Sequence, residues 1–106
     1  LFRSSAASDV YKRQIKDEDG NPLEYDIRAQ THAVIGNIRV ILEEYGMGLE
    51  DIVDVLVFLT DMERDFQDYN EVYAEYFSEI LPARTTVSVE ALPTSIALEL
   101  KVIARA

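Results

Sequence analysis

Arg84 is the residue whose type and position most directly suggest a chemical role. It lies in segment 81–87 (LPARTTV), directly after a proline-fixed turn and at the start of a run that alternates like a strand. A guanidinium presents a planar set of N–H donors that matches a carboxylate in bidentate fashion, and a strand end holds it more firmly than a flexible loop. The segment is therefore compatible with a binding site for a carboxylate. By spacing alone, a structural ion pair with one of the chain's many acidic residues is the favoured interpretation.

Glu99 is a second candidate, for proton transfer or for orienting water. It alternates with the apolar residues of segment 98–102 (LELKV), so it faces away from the core side of the predicted strand. If this strand pairs antiparallel with the strand that begins at Arg84, Glu99 lies opposite Thr86 and within roughly 7–8 Å of Arg84. Such a polar site would hold an anionic substrate and water together. The pattern alone also fits a solvated charge.

Other site chemistries find little support in the residue types. There is no cysteine and a single histidine, His32, which excludes a His/Cys zinc site and a thiol nucleophile. His32 lies off the apolar stripe of its predicted helix, which favours a solvent-facing structural histidine. A calcium loop beginning at Asp17 would need glycine where Pro22 stands. We therefore expect no metal site.

The overall charge restricts the classes of partner. The 106 residues fit one small domain, and 20 acidic against 10 basic residues give a formal charge of −10. Without a cluster of lysine and arginine, neither nucleic acid nor an anionic membrane is an expected partner. No apolar run is long enough to span a bilayer, and no hydrophobic leader is present. We expect a soluble, cytoplasmic protein.

Residues 1–14 differ in composition from the rest of the chain. They hold three of the ten basic residues and show neither helical nor strand periodicity, whereas residues 15–106 hold seven basic and nineteen acidic residues, a formal charge of −12. We therefore predict a non-native or disordered leader over 1–14 and one domain over 15–106. The string SAASDVYKRQ resembles translated adaptor sequence. The competing interpretation is a disordered native arm.

Two segments repeat apolar residues at steps of three and four, the spacing of a helical stripe. Asp26 suits the N-cap of the first helix, and Gly46 suits the left-handed position after its last turn. The second stripe is rich in aromatic residues, which predicts core packing, and Pro82 is expected to end that helix. The stripes consist of Ile27, Thr31, Val34, Ile35, Ile38, Ile41, Leu42 and Tyr45, and of Phe66, Tyr69, Tyr73, Tyr76, Phe77 and Ile80.

Three segments are predicted strands. Segment 51–60 (DIVDVLVFLT) is short and rich in β-branched residues, which favours the sheet centre, buried on both faces. Segments 85–89 and 98–102 alternate apolar and polar residues and suggest an antiparallel pair. Turn residues at 19–22 (DGNP) add a hairpin remnant before the first helix. This order predicts an α+β sandwich, with two helices on one face of a mixed sheet and sister subunits on the other.

Short blocks between residues 26 and 93 also occur in an order and at a spacing that a known family shares. The blocks are 26–31 (DIRAQT), 37–38 (NI), 57–62 (VFLTDM), 69–73 (YNEVY), Phe77, 82–87 (PARTTV) and 92–93 (LP). They resemble the RidA/YjgF family of enamine and imine deaminases, and the first helix looks closest to the 2-aminomuconate deaminase branch. The resemblance, which runs from about Ile15 to Ala106, implies a chorismate-mutase-like fold and a homotrimer with sites between subunits. The family opens with two further strands that residues 1–14 do not match, so the domain is expected to be incomplete at its N-terminus.

The resemblance gives roles to four residues. Arg84 matches the family's arginine that binds the substrate carboxylate, and Glu99 matches the glutamate thought to activate water. Asn70 matches an asparagine near the pocket, with a helix cap or a backbone tether as the alternative. Thr86 stands where some members carry cysteine, which argues against cysteine-dependent chemistry.

The expected activity is the hydrolytic deamination of small carboxylated enamines or imines, such as 2-aminoacrylate or 2-aminomuconate, to 2-oxo acids and ammonia. It requires no metal or organic cofactor. The alternative is a non-catalytic module that binds a 2-oxo acid or another protein through the same cleft. A third interpretation, a ribonuclease or RNA-directed translation inhibitor as attributed to some relatives, conflicts with the charge of −12 over residues 15–106.

Overall fold

The computed structural model describes residues 2–5, 26–92 and 96–105, which form a four-stranded sheet and two α-helices. The elements are β1 (Phe2–Ser5), α1 (Ile27–Glu44), β2 (Ile52–Leu59), α2 (Met62–Phe77), β3 (Ala83–Ser88) and β4 (Leu98–Ala104). The strand order is β1-β4-β2-β3. The predicted α+β architecture, a mixed sheet with two helices packed on it, is confirmed.

Strand β2 is the centre of the sheet, as predicted. It runs antiparallel to β4 on one side and parallel to β3 on the other. Its Val55, Val57 and Leu59 are fully buried on the face that the helices cover. On the opposite face, Leu56 and Phe58 are only half-buried. Val53, near the start of β2, is 47% exposed. The predicted burial of β2 on both faces is therefore wrong for the single chain.

Strands β3 and β4 are not neighbours, so the predicted antiparallel pair between segments 85–89 and 98–102 is wrong. Strand β2 lies between them. Strand β2, helix α2 and β3 form a strand–helix–strand unit, in which the helix carries the chain back over the sheet and makes the second strand parallel to the first. Alternation along a strand shows which residues share a face, but it does not show which strand lies beside it.

Helix α1 has the end signals that its sequence predicts. At its start, Asp26 Oδ1 accepts hydrogen bonds from the backbone N–H groups of Arg28 (3.0 Å) and Ala29 (3.2 Å). At its end, Gly46 adopts a φ of 74° and donates its N–H to the Glu43 carbonyl at 3.1 Å. Both predicted caps are confirmed.

The core lies between the helices and the sheet and contains most of the predicted stripes. Tyr45 is an exception, because its side chain is 64% exposed at the end of α1. Helix α2 ends at Phe77 rather than at Pro82. A proline disfavours helical backbone in the residue before it, and Leu81, at that position, has a left-handed φ of 51° that ends the helical path. Neither helix in the described part of the chain has the length and hydropathy needed to cross a bilayer.

Strand β1 forms in the segment where the sequence shows no strand pattern. It pairs antiparallel with β4, with Phe2 opposite Ala104 and Ser5 opposite Lys101. The edge of β4 offers backbone N–H and C=O groups that an extended segment can pair with, whatever its side chains. The interpretation of residues 1–14 as a leader stays a prediction. The predicted turn at 19–22 and the rest of the leader lie outside the described residues. The domain boundary at Ile15 and the cytoplasmic location stay predictions.

Candidate active site

Arg84 projects from the edge of the sheet toward helix α2. It is the second residue of β3 and lies opposite Val55 of β2. Because paired residues on neighbouring strands point to the same face, Arg84 shares the helix side with the fully buried Val55. Strand β3 is an edge strand, so the guanidinium is also accessible to solvent. The strand start thus fixes the base of the side chain and leaves its charged end exposed.

The guanidinium of Arg84 rests on neutral groups of α2. Its Nη1 donates a 2.6 Å hydrogen bond to Asn70 Oδ1. Its Cζ lies 4.7 Å from the ring centroid of Tyr73, 5.9 Å from that of Tyr69 and 6.0 Å from that of Phe66. Asn70 therefore tethers the side chain of Arg84. This role differs from the helix cap and the backbone tether that the sequence left open.

Arg84 makes no ion pair within the described residues. Other arginines of the chain do: Arg28 lies 2.8 Å from a carboxylate oxygen of Glu71, and Arg64 bonds the neighbouring Asp65 through two nitrogens at 3.0 Å each. The structural ion pair that spacing alone favoured for Arg84 is therefore not formed. Its positive charge is uncompensated by any carboxylate in that part of the chain.

A surface cavity of about 300 Å³ adjoins the guanidinium. Ligand pockets begin at about this size, so the cavity suits a molecule of a few carbon atoms. Most of its wall is apolar, and the polar Asn70 and Tyr73 of this wall contact the guanidinium. The wall includes Asn70, Tyr73, Phe77, Leu81, Pro82 and Arg84.

Three hydroxyl groups on the helix side of the sheet are buried and make no hydrogen bond of full geometry among the described residues, although Arg84 and Thr86 lie close enough to hydrogen-bond the Tyr69 hydroxyl weakly. The three are Tyr69 Oη, Tyr73 Oη and Thr86 Oγ1. Burial raises the pKa of Tyr69 above its usual range, and the nearby positive charge of Arg84 opposes this shift only in part. Burial also raises the pKa of Tyr73. Both phenols therefore stay neutral at physiological pH and do not act as bases.

Glu99 lies on the other face of the sheet. It pairs with Phe58 of β2, which in turn lies opposite Val87 of β3. Arg84 is three positions earlier along β3 and two strands away, roughly 10 Å in each direction, and it points to the helix side. The predicted separation of 7–8 Å is therefore wrong, because it assumed that β3 and β4 pair directly. The structure brings Arg84, Asn70 and Thr86 to one face and leaves Glu99 on the opposite face.

His32 is a solvent-facing structural residue, as predicted. Its Nδ1 lies 2.7 Å from Tyr76 Oη, and its Nε2 lies 3.6 Å from a Glu75 carboxylate oxygen. These contacts link α1 to α2 on the exposed side of the helices. Over residues 26–92 and 96–105, no three acidic or histidine side chains are grouped as metal ligands.

The sequence did not predict that the aromatic stripe of α2 would support Arg84. Phe66, Tyr69 and Tyr73 were interpreted as core residues, and the structure shows that they also lie under the guanidinium. A signal was available in their spacing of three and four residues, which places the rings and the neighbouring Asn70 on adjoining parts of one helix surface. What the sequence lacked was the parallel pairing that brings the start of β3 beside α2.

Comparison with known proteins defines the class of this chain. Residues 13–106 match the family described as Endoribonuclease L-PSP. A RutC family protein of Pyrococcus abyssi is 48% identical over 90 residues, which are 85% of this chain and 70% of that protein. The chain therefore belongs to this family, and the resemblance to RidA/YjgF proteins is confirmed. The match begins beyond β1.

Solved structures support the same assignment. A putative endoribonuclease from Thermotoga maritima is 42% identical with a TM-score of 0.73, over 86% of this chain and 72% of that one. The YjgF gene product of Escherichia coli is 34% identical with a TM-score of 0.71, over 80% of this chain and 68% of that one. The chorismate-mutase-like fold is thereby confirmed for the matching part. The 2-aminomuconate branch stays a prediction.

Proposed function

We propose that the protein hydrolytically deaminates small carboxylated enamines, or their imine tautomers, to 2-oxo acids and ammonia. The observation that carries this proposal is the environment of Arg84. In a chain with 20 acidic residues, this guanidinium is held by an amide and by aromatic rings, next to a small cavity and without an ion pair to a described carboxylate. Such a group is prepared to bind an anionic ligand in bidentate fashion.

The proposed reaction needs only water as a second reactant. Arg84 binds the substrate carboxylate and fixes the adjacent imine carbon. Water adds to that carbon, forming a C–O bond while the π electrons of C=N move to nitrogen, which takes up a proton. The nitrogen then takes up a second proton, the C–N bond breaks and ammonia leaves, while the added hydroxyl loses its proton and the C=O bond of the 2-oxo acid forms. Glu99 holds the attacking water and accepts its proton, whereas the Thr86 hydroxyl is buried on the Arg84 side and does not line the cavity.

This mechanism requires more than one protomer. Arg84 and Glu99 lie on opposite faces of the sheet, so a second copy of the chain has to bring its Glu99 to the Arg84 cavity. We propose a homotrimer with a site at each interface. The half-buried apolar residues on the helix-free face, among them Leu56, Phe58 and Ile103, suit packing between subunits.

A non-catalytic module that binds a 2-oxo acid is the second candidate. The observation in its favour is that the cavity, Arg84 and Asn70 are complete in one chain without Glu99. The two candidates differ in ammonia release from a generated enamine such as 2-aminoacrylate. A binding module retains Arg84-dependent affinity for a 2-oxo acid and releases no ammonia above the uncatalysed rate.

Ribonuclease activity is less well supported, although the family description and the Thermotoga maritima structure carry that word. The part of the chain that matches most of the family, residues 15–106, has a formal charge of −12. Binding a nucleic acid backbone depends on neutralising phosphates with lysine and arginine. A small carboxylate needs one guanidinium, which the structure provides.

The experiment that tests the proposal separates binding from turnover with two substitutions. Arg84→Lys keeps the charge but loses the bidentate fork, so affinity for a stable 2-oxo acid should fall by about 1.5–3 kcal/mol. Glu99→Gln keeps the size but removes the base, so turnover should fall by about 10²–10⁴ with little change in affinity. Both are measured by calorimetric titration and by ammonia release.

Matched controls are available on the exposed side of α1. Arg39→Lys and Glu43→Gln make the same chemical changes away from the cavity. Near-normal turnover by Glu99→Gln would reject its catalytic role. Unchanged 2-oxo acid binding by Arg84→Ala would reject the carboxylate site, and with it the proposed function.

A further inference from the structure

Three aromatic rings of α2 form a surface under Arg84, here called the aromatic shelf: Phe66, Tyr69 and Tyr73. A cation within about 6 Å of a ring centroid is attracted by the negative face of the ring. The distances from Arg84 Cζ are 4.7 Å for Tyr73, 5.9 Å for Tyr69 and 6.0 Å for Phe66. Tyr73 is therefore the principal contact of the shelf.

The shelf is itself held in place by packing. Tyr69 is fully buried, and the exposed fraction of Tyr73 is 7%. The Tyr73 ring stacks on Phe77, with centroids 4.5 Å apart and planes inclined by 26°, and its centroid lies 5.7 Å from that of Tyr69. A ring packed on two others cannot turn away without opening the core, so Tyr73 presents a fixed surface to the guanidinium.

The contact made by Tyr73 is through its ring face. Its hydroxyl has no hydrogen-bond partner among the described residues. Asn70 Oδ1 accepts from Nη1 and fixes one edge of the guanidinium, whereas the Tyr73 ring limits how the whole group can tilt. Two different contacts thus constrain a side chain that would otherwise lose much conformational entropy on binding a ligand.

We propose that Tyr73 is a positioning residue for Arg84, whose ring face holds the guanidinium ready to give two hydrogen bonds to a carboxylate in the adjoining cavity. This inference rests on the proposed function and deepens it, because it names what makes the carboxylate site rigid. It predicts that the ring of Tyr73 matters for affinity and that its hydroxyl does not.

The test measures the affinity of the full chain for 2-oxobutyrate by calorimetric titration. Tyr73→Leu removes the ring face and should weaken binding by roughly 3- to 30-fold, whereas Tyr73→Phe should recover most of that loss. Tyr76→Leu is the matched control: it removes a ring from the same helix, but Tyr76 contacts His32 on the other side. The control should bind 2-oxobutyrate with an affinity within about twofold of the unsubstituted protein.

Placing Tyr73→Leu in an Arg84→Ala background distinguishes positioning from general damage. If Tyr73 acts through Arg84, the second substitution adds little to the loss that Arg84→Ala causes. Additive losses, or equal affinity of Tyr73→Leu and the unsubstituted protein, would overturn the inference. So would a Tyr73→Phe variant as weak as Tyr73→Leu.

A measurement without substitution in the shelf keeps the inference testable if Tyr73→Leu does not fold. In the NMR spectrum of the unsubstituted protein, the δ-methylene protons of Arg84 should be shifted upfield by the Tyr73 ring, with the assignment made by their loss in Arg84→Lys. Unshifted signals would overturn the inference. Arg84-dependent binding without ammonia release would instead reject the proposed deaminase function and leave the role of Tyr73 intact.

Discussion

At the scale of single residues, the site retains hydroxyls that the core leaves poorly paired. Tyr69 is fully buried, and its hydroxyl makes no hydrogen bond of full geometry among the described residues, with only weak hydrogen bonding from Arg84 and Thr86. Leaving a buried polar group unsatisfied lowers the free energy of unfolding by about 1–3 kcal/mol. A phenylalanine, which has nearly the same shape as tyrosine, would avoid this cost. Tyr73 and Thr86 repeat this pattern on the same side of the sheet. The cluster beside Arg84 is therefore not arranged for maximal stability of the isolated chain.

Replacing Tyr69 should alter how stability depends on alkaline pH. Below about pH 10, tyrosine is protonated in both the folded and the unfolded chain. Above that pH the unfolded state ionises, while burial keeps the pKa of folded Tyr69 raised, so this residue's contribution to stability is lost as pH rises. Tyr69→Phe should lose less free energy of unfolding between pH 8 and 11.5 than the unsubstituted protein, as measured by urea denaturation.

The control for this experiment is Tyr45→Phe, because Tyr45 is 64% exposed. It should retain the alkaline loss of the unsubstituted protein. At pH 7, Tyr69→Phe should lower the free energy of unfolding by less than about 1 kcal/mol, since the hydroxyl that is removed makes only weak hydrogen bonds, with Arg84 and Thr86. A larger loss at pH 7 would indicate that Tyr69 makes a full hydrogen bond in solution.

A site residue could be predicted where a few neighbouring residues in the sequence indicate its role. Contacts that depend on packing between distant elements could not be predicted. The position of Arg84 could be predicted because only a few residues define it. They are the proline of the preceding turn and the alternating residues of the strand that follows. The contacts of Arg84 with Asn70 and Tyr73 depend on the packing of α2 against β3, which no local pattern encodes. The position of Glu99 on the helix-free face was predicted from alternation, but its distance from Arg84 depended on strand order and was wrong.

At the scale of elements, helix α1 is closed by a specific backbone motif. The N–H of Gly46 donates to Glu43 and the N–H of Met47 donates to Leu42, at 3.1 and 2.9 Å, which satisfies carbonyls at the helix end. This arrangement needs a left-handed residue, and Gly46 has a φ of 74°. The turn then directs the chain into β2, so the cap helps to place the central strand.

Two glycine substitutions should change stability in opposite directions. A Cβ added at Gly46 or at Gly36 meets no atom within 4 Å, so steric clash with neighbours does not distinguish them. Gly46→Ala forces a left-handed alanine and should lower the free energy of unfolding by about 1 kcal/mol. Gly36→Ala, inside α1, should raise it by about 0.5–1 kcal/mol. Urea denaturation followed by circular dichroism measures both, and equal signs would contradict the assigned backbone conformations.

The elements themselves were largely predictable, whereas their neighbours in the sheet were not. Asp26, Gly46 and the two stripes mark the helices because capping and periodicity act within a few residues. Pairing of β3 with β2 brings together residues about 30 positions apart in sequence. The alternation along β3 is satisfied equally by pairing with β2 and by the predicted pairing with β4. The strand–helix–strand order is the one signal in the sequence that favours a parallel pair.

At the scale of the whole molecule, the sheet has one covered and one incompletely covered face. Both helices pack on the side of Val55 and Val57, which are fully buried. On the other side, Leu56, Phe58 and Ile103 are only half-buried among the described residues. That same face presents Glu99, so subunit packing there would bury apolar surface and also bring a carboxylate to an interface.

Light scattering on the purified protein should report a trimer, and a substitution on the helix-free face should reduce the assembly to monomers. Phe58→Lys removes apolar area from this face and places a charge there, which disfavours packing against another subunit. Val40→Lys is the control, since Val40 is 56% exposed on α1. Circular dichroism should show both variants folded, with only Phe58→Lys losing the trimer and, with it, ammonia release. A monomeric unsubstituted protein that still releases ammonia would reject a site shared between subunits.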